Sequence, residues 1–447
     1  MVVGGLLFVW LFLPYDNAIR LALRWQLKGL EAALKAHFAS DQWLAEPPAF
    51  PVDFGRDTVV ILKTGYGTRD RVQPFLEAIE QGGGGNGSDV RDLIIVGDYA
   101  GQPWEHFAYR GQELPVHDVV ARTASHASFS GEILRHPRIL KHQNLKHLIK
   151  GNGEMHSDLT AKIASSWGWE LDALKFIPSL EFAYERFHDK KWYILADDDT
   201  FLVQPTLKLL LEHLDPRQPY YLGNPVGDFR ARFAHGGSAV ILSQEAMHAL
   251  FVKNTWAVSA AYAESLEETW GDRQLAKTLI KIGIYADENY GRFFNGEPPR
   301  QTKIRADRLC SPIASFHKLA AAARMSEVGK QFAGVSRPVR LIDMWNMFEA
   351  PTFQSFESNP IRQNWDHVGT LDESTMTVPS VASAPDCFRI CTRYARTCMA
   401  WTWEVKTRYC HISPSMIVGE EGTQSQAKRS GINVARVQRL QSHCPEY

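Results

Sequence analysis

Between residues 16 and 40 the apolar positions of NAIRLALRWQLKGLEAALKAHFAS recur three and four apart, which predicts a helix. Pro47, Pro48 and Pro51 then interrupt regular structure. Asp57–Lys63 (DTVVILK) reads as a buried strand, followed by a glycine-rich turn over Thr64–Thr68 and a helix through Glu80. A second strand, Leu93–Val96, ends at Gly97-Asp98. Leu171–Phe187 has helical spacing and leads into the apolar run Trp192–Leu202. Tyr220–Gly223 and Gly236–Ser243 are strand-like, Trp270-Gly271-Asp272 opens a helical segment through Ile282, and Ala314–Lys318 closes the region. Strands alternating with helices predict an α/β fold around a largely parallel, Rossmann-like sheet. Residues 350–385, rich in Pro, Ser and Thr, read as a connector, and no internal repeat is evident.

One position in this pattern changes its meaning. The strand over Trp192–Ala196 ends in three consecutive carboxylates, Asp197, Asp198 and Asp199, before turning apolar again. Adjacent anions repel, and a hard divalent cation relieves this well, because Mg²⁺ and Mn²⁺ prefer carboxylate oxygens and leave positions open for a phosphate. Open α/β sheets bind ligands at the carboxyl ends of their strands, where this triplet sits. The pattern points to a metal–diphosphate site for a nucleotide-sugar. A solvated acidic turn is the plain alternative.

At 447 residues the chain exceeds one ordinary core, so two or three domains are expected. A net charge of -1 supplies no basic field for nucleic acid. All six cysteines (Cys310, Cys387, Cys391, Cys398, Cys410 and Cys444) lie in the last third, which favours a disulfide-stapled module in an oxidising compartment. A zinc site beginning at Cys387 and Cys391 is the weaker alternative, since only His411 offers a nearby further ligand. The uncharged run Val2–Pro14 is shorter than the ~20 residues that span a bilayer, and reads as a signal-peptide core or a truncated membrane anchor. Asn86-Gly87-Ser88 is a glycosylation acceptor, consistent with the secretory route.

Taken in order, the blocks VVILKTGYGTRDR, DLIIVGDYA, WYILADDDTFL, YYLGNP, AHGGSAVILS, WGDRQLA and SFHKL resemble glycosyltransferase family 31, the Fringe-like and core-1 beta-1,3-galactosyltransferase group, in its fungal form. The resemblance covers about residues 57–320. It implies a GT-A nucleotide-diphospho-sugar transferase fold, a UDP-sugar donor, a glycan or glycoprotein acceptor, and a divalent metal. Mn²⁺ is the first choice and Mg²⁺ possible, because an imidazole beside carboxylates suits Mn²⁺ better. By match to the family motifs, Asp199 and His317 would ligate the metal, with Asp197 and Asp198 supporting the ribose or the metal's water shell. Lys63, Thr64 and Gly65 lie where the family binds the nucleotide, Asp98 would reach the uracil or ribose, Arg69 is a candidate phosphate contact by its location alone, and Gly236 and Gly237 would let the backbone pass close to the donor sugar. His235 and Trp270 would face the acceptor, the indole suiting the C–H face of a pyranose.

Inverting transfer needs a base for the acceptor hydroxyl. Asp272 matches the family's acidic position, where relatives often carry two adjacent acids and this chain has Gly271-Asp272. A helix-capping role stays open for Asp272, with Glu267 and Glu268 as fallback bases. The tail resembles a PAN/apple module, carried by its cysteine spacing with Trp401 and Trp403 between the third and fourth. That likeness implies Cys387–Cys410 and Cys391–Cys398, and with them Cys310–Cys444 stapling the tail to the catalytic domain.

The expected organisation is a signal or truncated anchor over 1–14, a stem over 15–55, a catalytic domain over 56–335, a connector over 336–385 and a cysteine-rich module over 386–447. The expected activity is UDP-sugar-dependent, inverting hexosyl transfer, with beta-1,3 linkage. The expected location is the Golgi membrane, with a lumenal catalytic domain held by the amino-terminal anchor. Two rivals remain: an inactive carbohydrate- or protein-binding member of the fold, and a metal-dependent phosphohydrolase.

Overall fold

A computed structural model describes residues 9–35, 41–83, 89–103, 105–126, 131–152, 158–422 and 427–447. The chain divides into two compact units. The first comprises residues 1–40, 48–296 and 317–336, and the second residues 41–47, 297–316 and 337–447.

The first unit is built on a six-stranded sheet. Its strands are β1 (Thr58–Lys63), β2 (Leu93–Gly97), β3 (Val116–Asp118), β4 (Trp192–Asp197), β5 (Tyr221–Gly223) and β6 (Val240–Ser243), in the order β3-β2-β1-β4-β6-β5. The pairs β3-β2, β2-β1 and β1-β4 are parallel, whereas β6 runs antiparallel to β4 and β5. Val59, Val60, Ile61 and Leu62 are fully buried, as a continuous apolar strand covered on both faces requires. The register pairs Lys63 with both Val96 and Asp197, so the carboxyl ends of three parallel strands finish level. That edge carries the site.

The helical run expected over Leu171–Phe187 is broken in two. Helix α1 (Asp158–Asp172) ends, and α2 (Phe176–Arg186) begins four residues later. Pro178 explains the break: it has no N–H for the carbonyl of Leu174, so it is tolerated only in the first turn of a new helix. Helix α2 lays Phe176, Ile177, Leu180 and Ala183 on the sheet, beside Leu275, Ala276 and Leu279 of α3 (Gly271–Lys281). Gly236–Ser238 forms a single 3-10 turn rather than the start of a strand, and Ala239 reaches φ 69° before β6 begins.

The second unit holds a five-stranded antiparallel sheet of β7 (Arg362–Gln363), β8 (Met376–Val378), β9 (Ala400–Glu404), β10 (Cys410–Ser413) and β11 (Lys428–Ile432), in the order β7-β11-β9-β10-β8. Helix α4 (Ala384–Arg393) packs Cys387 and Cys391 against Trp401, Cys398 and Cys410. The stretch read as a connector therefore supplies two of the sheet's strands, β7 and β8. The cysteines are paired Cys387–Cys410, Cys391–Cys398 and Cys310–Cys444, which leaves no thiolate for zinc. Cys310 and Cys444 both belong to the second unit, so their bond closes that unit on itself instead of fastening the tail to the first. The Cys387–Cys410 bond spans 23 residues, and the loop entropy it removes from the unfolded chain is worth roughly 3 kcal/mol. The double substitution Cys387→Ala, Cys410→Ala is expected to destabilise the second unit by about that amount, read as a lower denaturant midpoint in an unfolding titration.

Among the described residues, no helix is long and apolar enough to cross a membrane. Most of the run read as a targeting segment (residues 1–8) and the acceptor Asn86 lie outside the described residues.

Candidate active site

At the carboxyl edge of the sheet opens a cavity of about 750 Å³, within the range usual for ligand sites. Its wall is assembled from the ends of β1 and β4, the loop after β1, the turn at Gly236-Gly237, the start of α3, and His317. Asp197, Asp199 and His317 each aim one ligand atom at a common point, the three atoms lying within 4.8 Å of one another. His317 Nε2 stands 3.2 Å from Asp199 Oδ1. Burial works against charge on both groups. Their mutual attraction prevails, raising the imidazole pKa and lowering that of the carboxylate. Two carboxylates and an imidazole form a donor set that suits Mn²⁺ and tolerates Mg²⁺.

Gly237 is required by this geometry. A Cβ there would fall 2.1 Å from His317 Nε2, and one at Gly236 would fall 2.8 Å from the Phe176 ring. Gly237→Ala is expected to push the imidazole away from Asp199 and weaken metal binding at least tenfold, measurable by Mn²⁺ titration.

The three adjacent aspartates have separate fates. Asp197 pairs with Lys63 Nζ at 2.9 Å. Asp198 turns into the protein, where its Oδ2 accepts from Thr64 Oγ1 at 2.7 Å and Thr68 Oγ1 at 2.6 Å, tying the loop after β1 to the end of β4. Burial pushes its carboxyl up to about 6 despite those hydrogen bonds. Asp199 faces the cavity with His317.

Lys63 and Asp98, expected at the nucleotide, line the cavity but are committed to an ionic chain beneath it. Lys63 bridges Asp197 and Asp172, while Lys175 bridges Asp172, at 3.9 Å, and Asp98, at 3.0 Å. Burial disfavours the Lys63 ammonium, yet the flanking carboxylates of Asp172 and Asp197 outweigh it and raise its pKa. Thr64 and Gly65, after β1, also line the cavity. Arg69 does not: its guanidinium lies over the Tyr66 ring and donates to the Tyr66 carbonyl at 2.8 Å. The arginine of this run that does line the cavity is Arg71, 3.4 Å from Asp198 and 3.9 Å from Asp199, two residues further along.

Asp272 sits inside the first turn of α3, after Trp270 in the N-cap position. Its Oδ2 accepts from the backbone N–H of Gly236 at 2.9 Å and its Oδ1 from that of Arg273 at 2.8 Å, so it is aimed across the turn and not merely at its own helix end. Burial pushes its carboxyl up to about 6, against those two hydrogen bonds and with the charges of Asp172 and Asp197 adding to the rise. Glu267 and Glu268 do not line the cavity; Glu268 is held by Arg273 and Lys277. Trp270, 47% exposed, and His235 do line it. Burial lowers the His235 pKa, with the neighbouring His317 adding to the effect, so its ring is neutral near pH 7. Residues that sequence reasoning passed over are Arg71, Thr68, Trp169, Asp172 and Lys175.

The first unit thus has a mixed, parallel-rich sheet with two carboxylates and an imidazole, able to hold a metal ion, gathered at its carboxyl edge. Residues 161–272 match the family model described as Fringe-like. The matched span, about a quarter of the chain, contains Asp172, the Asp197–Asp199 triplet, Gly236-Gly237 and Asp272.

Proposed function

We propose that the first unit is a metal-dependent, inverting glycosyltransferase that moves a hexose from a UDP-sugar to a hydroxyl of a glycan or glycoprotein. The observation that carries this is the convergence of Asp197, Asp199 and His317 in a cavity that also presents an oriented carboxyl, Asp272, poised at about 6. A divalent cation held by those three residues would supply charge neutralisation for the departing diphosphate. Arg71 faces the same anion from the loop side.

Asp272 accepts the proton of the attacking hydroxyl as the acceptor oxygen bonds to the anomeric carbon and the bond to the diphosphate breaks. Of the carboxyls lining the cavity, Asp197 and Asp199 converge with His317, Asp198 is tied to Thr64 and Thr68, and Asp98 is paired with Lys175, which leaves Asp172 and Asp272 to be separated by their surroundings. Asp172 is buried, but its two lysine partners outweigh burial and hold its pKa low, so it is a poor base. Asp272, held by uncharged backbone donors and near pH 6, is the better matched of the two. The two N–H groups fix its direction, so the proton is taken by a carboxylate already in place.

Three disulfides fit maturation in the secretory pathway; beta-1,3 linkage and Golgi residence are proposed only on the likeness of residues 161–272 to the Fringe-like family. The cysteine-rich module over 386–447 is proposed as a binding or capping element of the second unit. The test is release of UDP from UDP-galactose, UDP-N-acetylglucosamine and related donors, with Mn²⁺ or with chelator. Metal-dependent turnover of one donor supports the proposal. Phosphate release from simple esters, with every UDP-sugar left intact, overturns it in favour of a phosphohydrolase.

A further inference from the structure

We infer that helix α1 carries a nucleobase subsite, in which the flat ring of the bound nucleotide lies against Gly168 and stacks on the indole of Trp169. This rests on the nucleotide-sugar reading above and adds to it the residues that hold the base.

The helix runs along one side of the cavity, to which it contributes Ala164, Ser165, Gly168, Trp169 and Asp172. At one end Asp172 is bonded to Lys63, which in turn pairs with Asp197 of the metal site. Toward the other end, Ser165 Oγ donates to the carbonyl of Gly67 at 3.2 Å, closing the helix onto the loop after β1. Gly168 and Trp169 lie between these two points, roughly one helical turn (~6 Å) from Asp172. A diphosphate at the metal end would therefore direct the remainder of its nucleotide along this wall.

Two features of the wall are unexplained by the protein's own packing. Gly168 occupies a helix interior, where glycine is unfavourable relative to alanine, yet a Cβ there would meet nothing within 4 Å. The backbone is left bare toward open cavity, which permits close approach of a flat group. Its neighbour Trp169 is 73% exposed, a large aromatic surface left in water at the rim of a binding cavity. None of the four wall residues before Asp172 is charged, so this stretch suits a neutral ring rather than a phosphate. Every base has a π-face, and stacking on an aromatic side chain is a strong, sequence-tolerant contact.

The test compares uridine diphosphate with inorganic pyrophosphate, each titrated calorimetrically in Mn²⁺ into the full chain and into Trp169→Ala and Gly168→Leu. The expected result is UDP binding weakened roughly tenfold or more in both variants, with pyrophosphate binding unchanged. Leucine is a good helix former and has open space at this position, so Gly168→Leu is also expected to melt no lower than the wild type. Unchanged UDP binding in both variants overturns the subsite. Equal loss of UDP and pyrophosphate also overturns it, since the damage would then lie at the metal end. Failure of the wild type to bind either ligand is a separate outcome that removes the nucleotide-sugar reading itself.

Discussion

Asp199→Ala and His317→Ala are each expected to weaken metal-dependent binding of the donor on the order of 100-fold or more, with transfer falling below detection. Each substitution removes one of three converging ligands, and even partners outside the ligand shell cost ~10–100-fold in affinity when removed. The two variants differ in what they leave behind. Asp199→Ala subtracts one of three adjacent anions and relieves their repulsion, so the metal-free protein should keep its melting temperature. His317→Ala strips Asp199 of its imidazole partner and leaves Asp197, Asp198 and Asp199 with Lys63 and Arg71 as their remaining cations. A modest loss of thermal stability is expected there. Mn²⁺ titration with parallel melting curves separates loss of the site from loss of the fold.

The second large effect belongs to Asp272. Asp272→Asn keeps the shape and an oxygen able to accept from Gly236 or Arg273, but it cannot take up a proton. The expected fall in kcat is roughly 10²–10⁴-fold, with UDP binding in Mn²⁺ unchanged. The wild type carries a matching pH signature. A base must be deprotonated to act, and this carboxyl is pushed up to about 6, so the rate should climb as pH rises through about 6 and level off above it. The residual rate of the asparagine variant should lack that limb. A variant with wild-type kcat would reduce Asp272 to a support for the Gly236 turn.

How much of this was legible in the chain depended on whether a residue's neighbours were close in sequence. The strand ending in Asp197-Asp198-Asp199 could be read directly, because an apolar run stopping at three anions is a local pattern. The division of labour within the triplet was not legible. It is set by Thr64 and Thr68, about 130 residues away, which claim Asp198, and by His317, which meets Asp199. Nothing local in the chain marks Asp172 and Lys175, two polar residues at the start of a run with helical spacing. Only the break enforced by Pro178 and the register of β1 against β4 bring them under the site. Arg69 and Arg71 are two residues apart in one run, and the tight turn between Gly65 and Val72 decides which of them faces the cavity. In the second unit, Pro, Ser and Thr disguised β7 and β8 as a connector, since strands of two and three residues carry too little alternation to be seen.

The central claim is that the cavity binds a nucleotide-sugar through a metal. The most direct measurement is a calorimetric titration of the purified protein with a panel of UDP-sugars, with and without Mn²⁺, alongside Asp199→Ala and His317→Ala. Saturable binding of at least one UDP-sugar that requires Mn²⁺ and disappears in both variants is the predicted result. A folded wild-type protein that binds no UDP-sugar in the presence of Mn²⁺ would contradict the account.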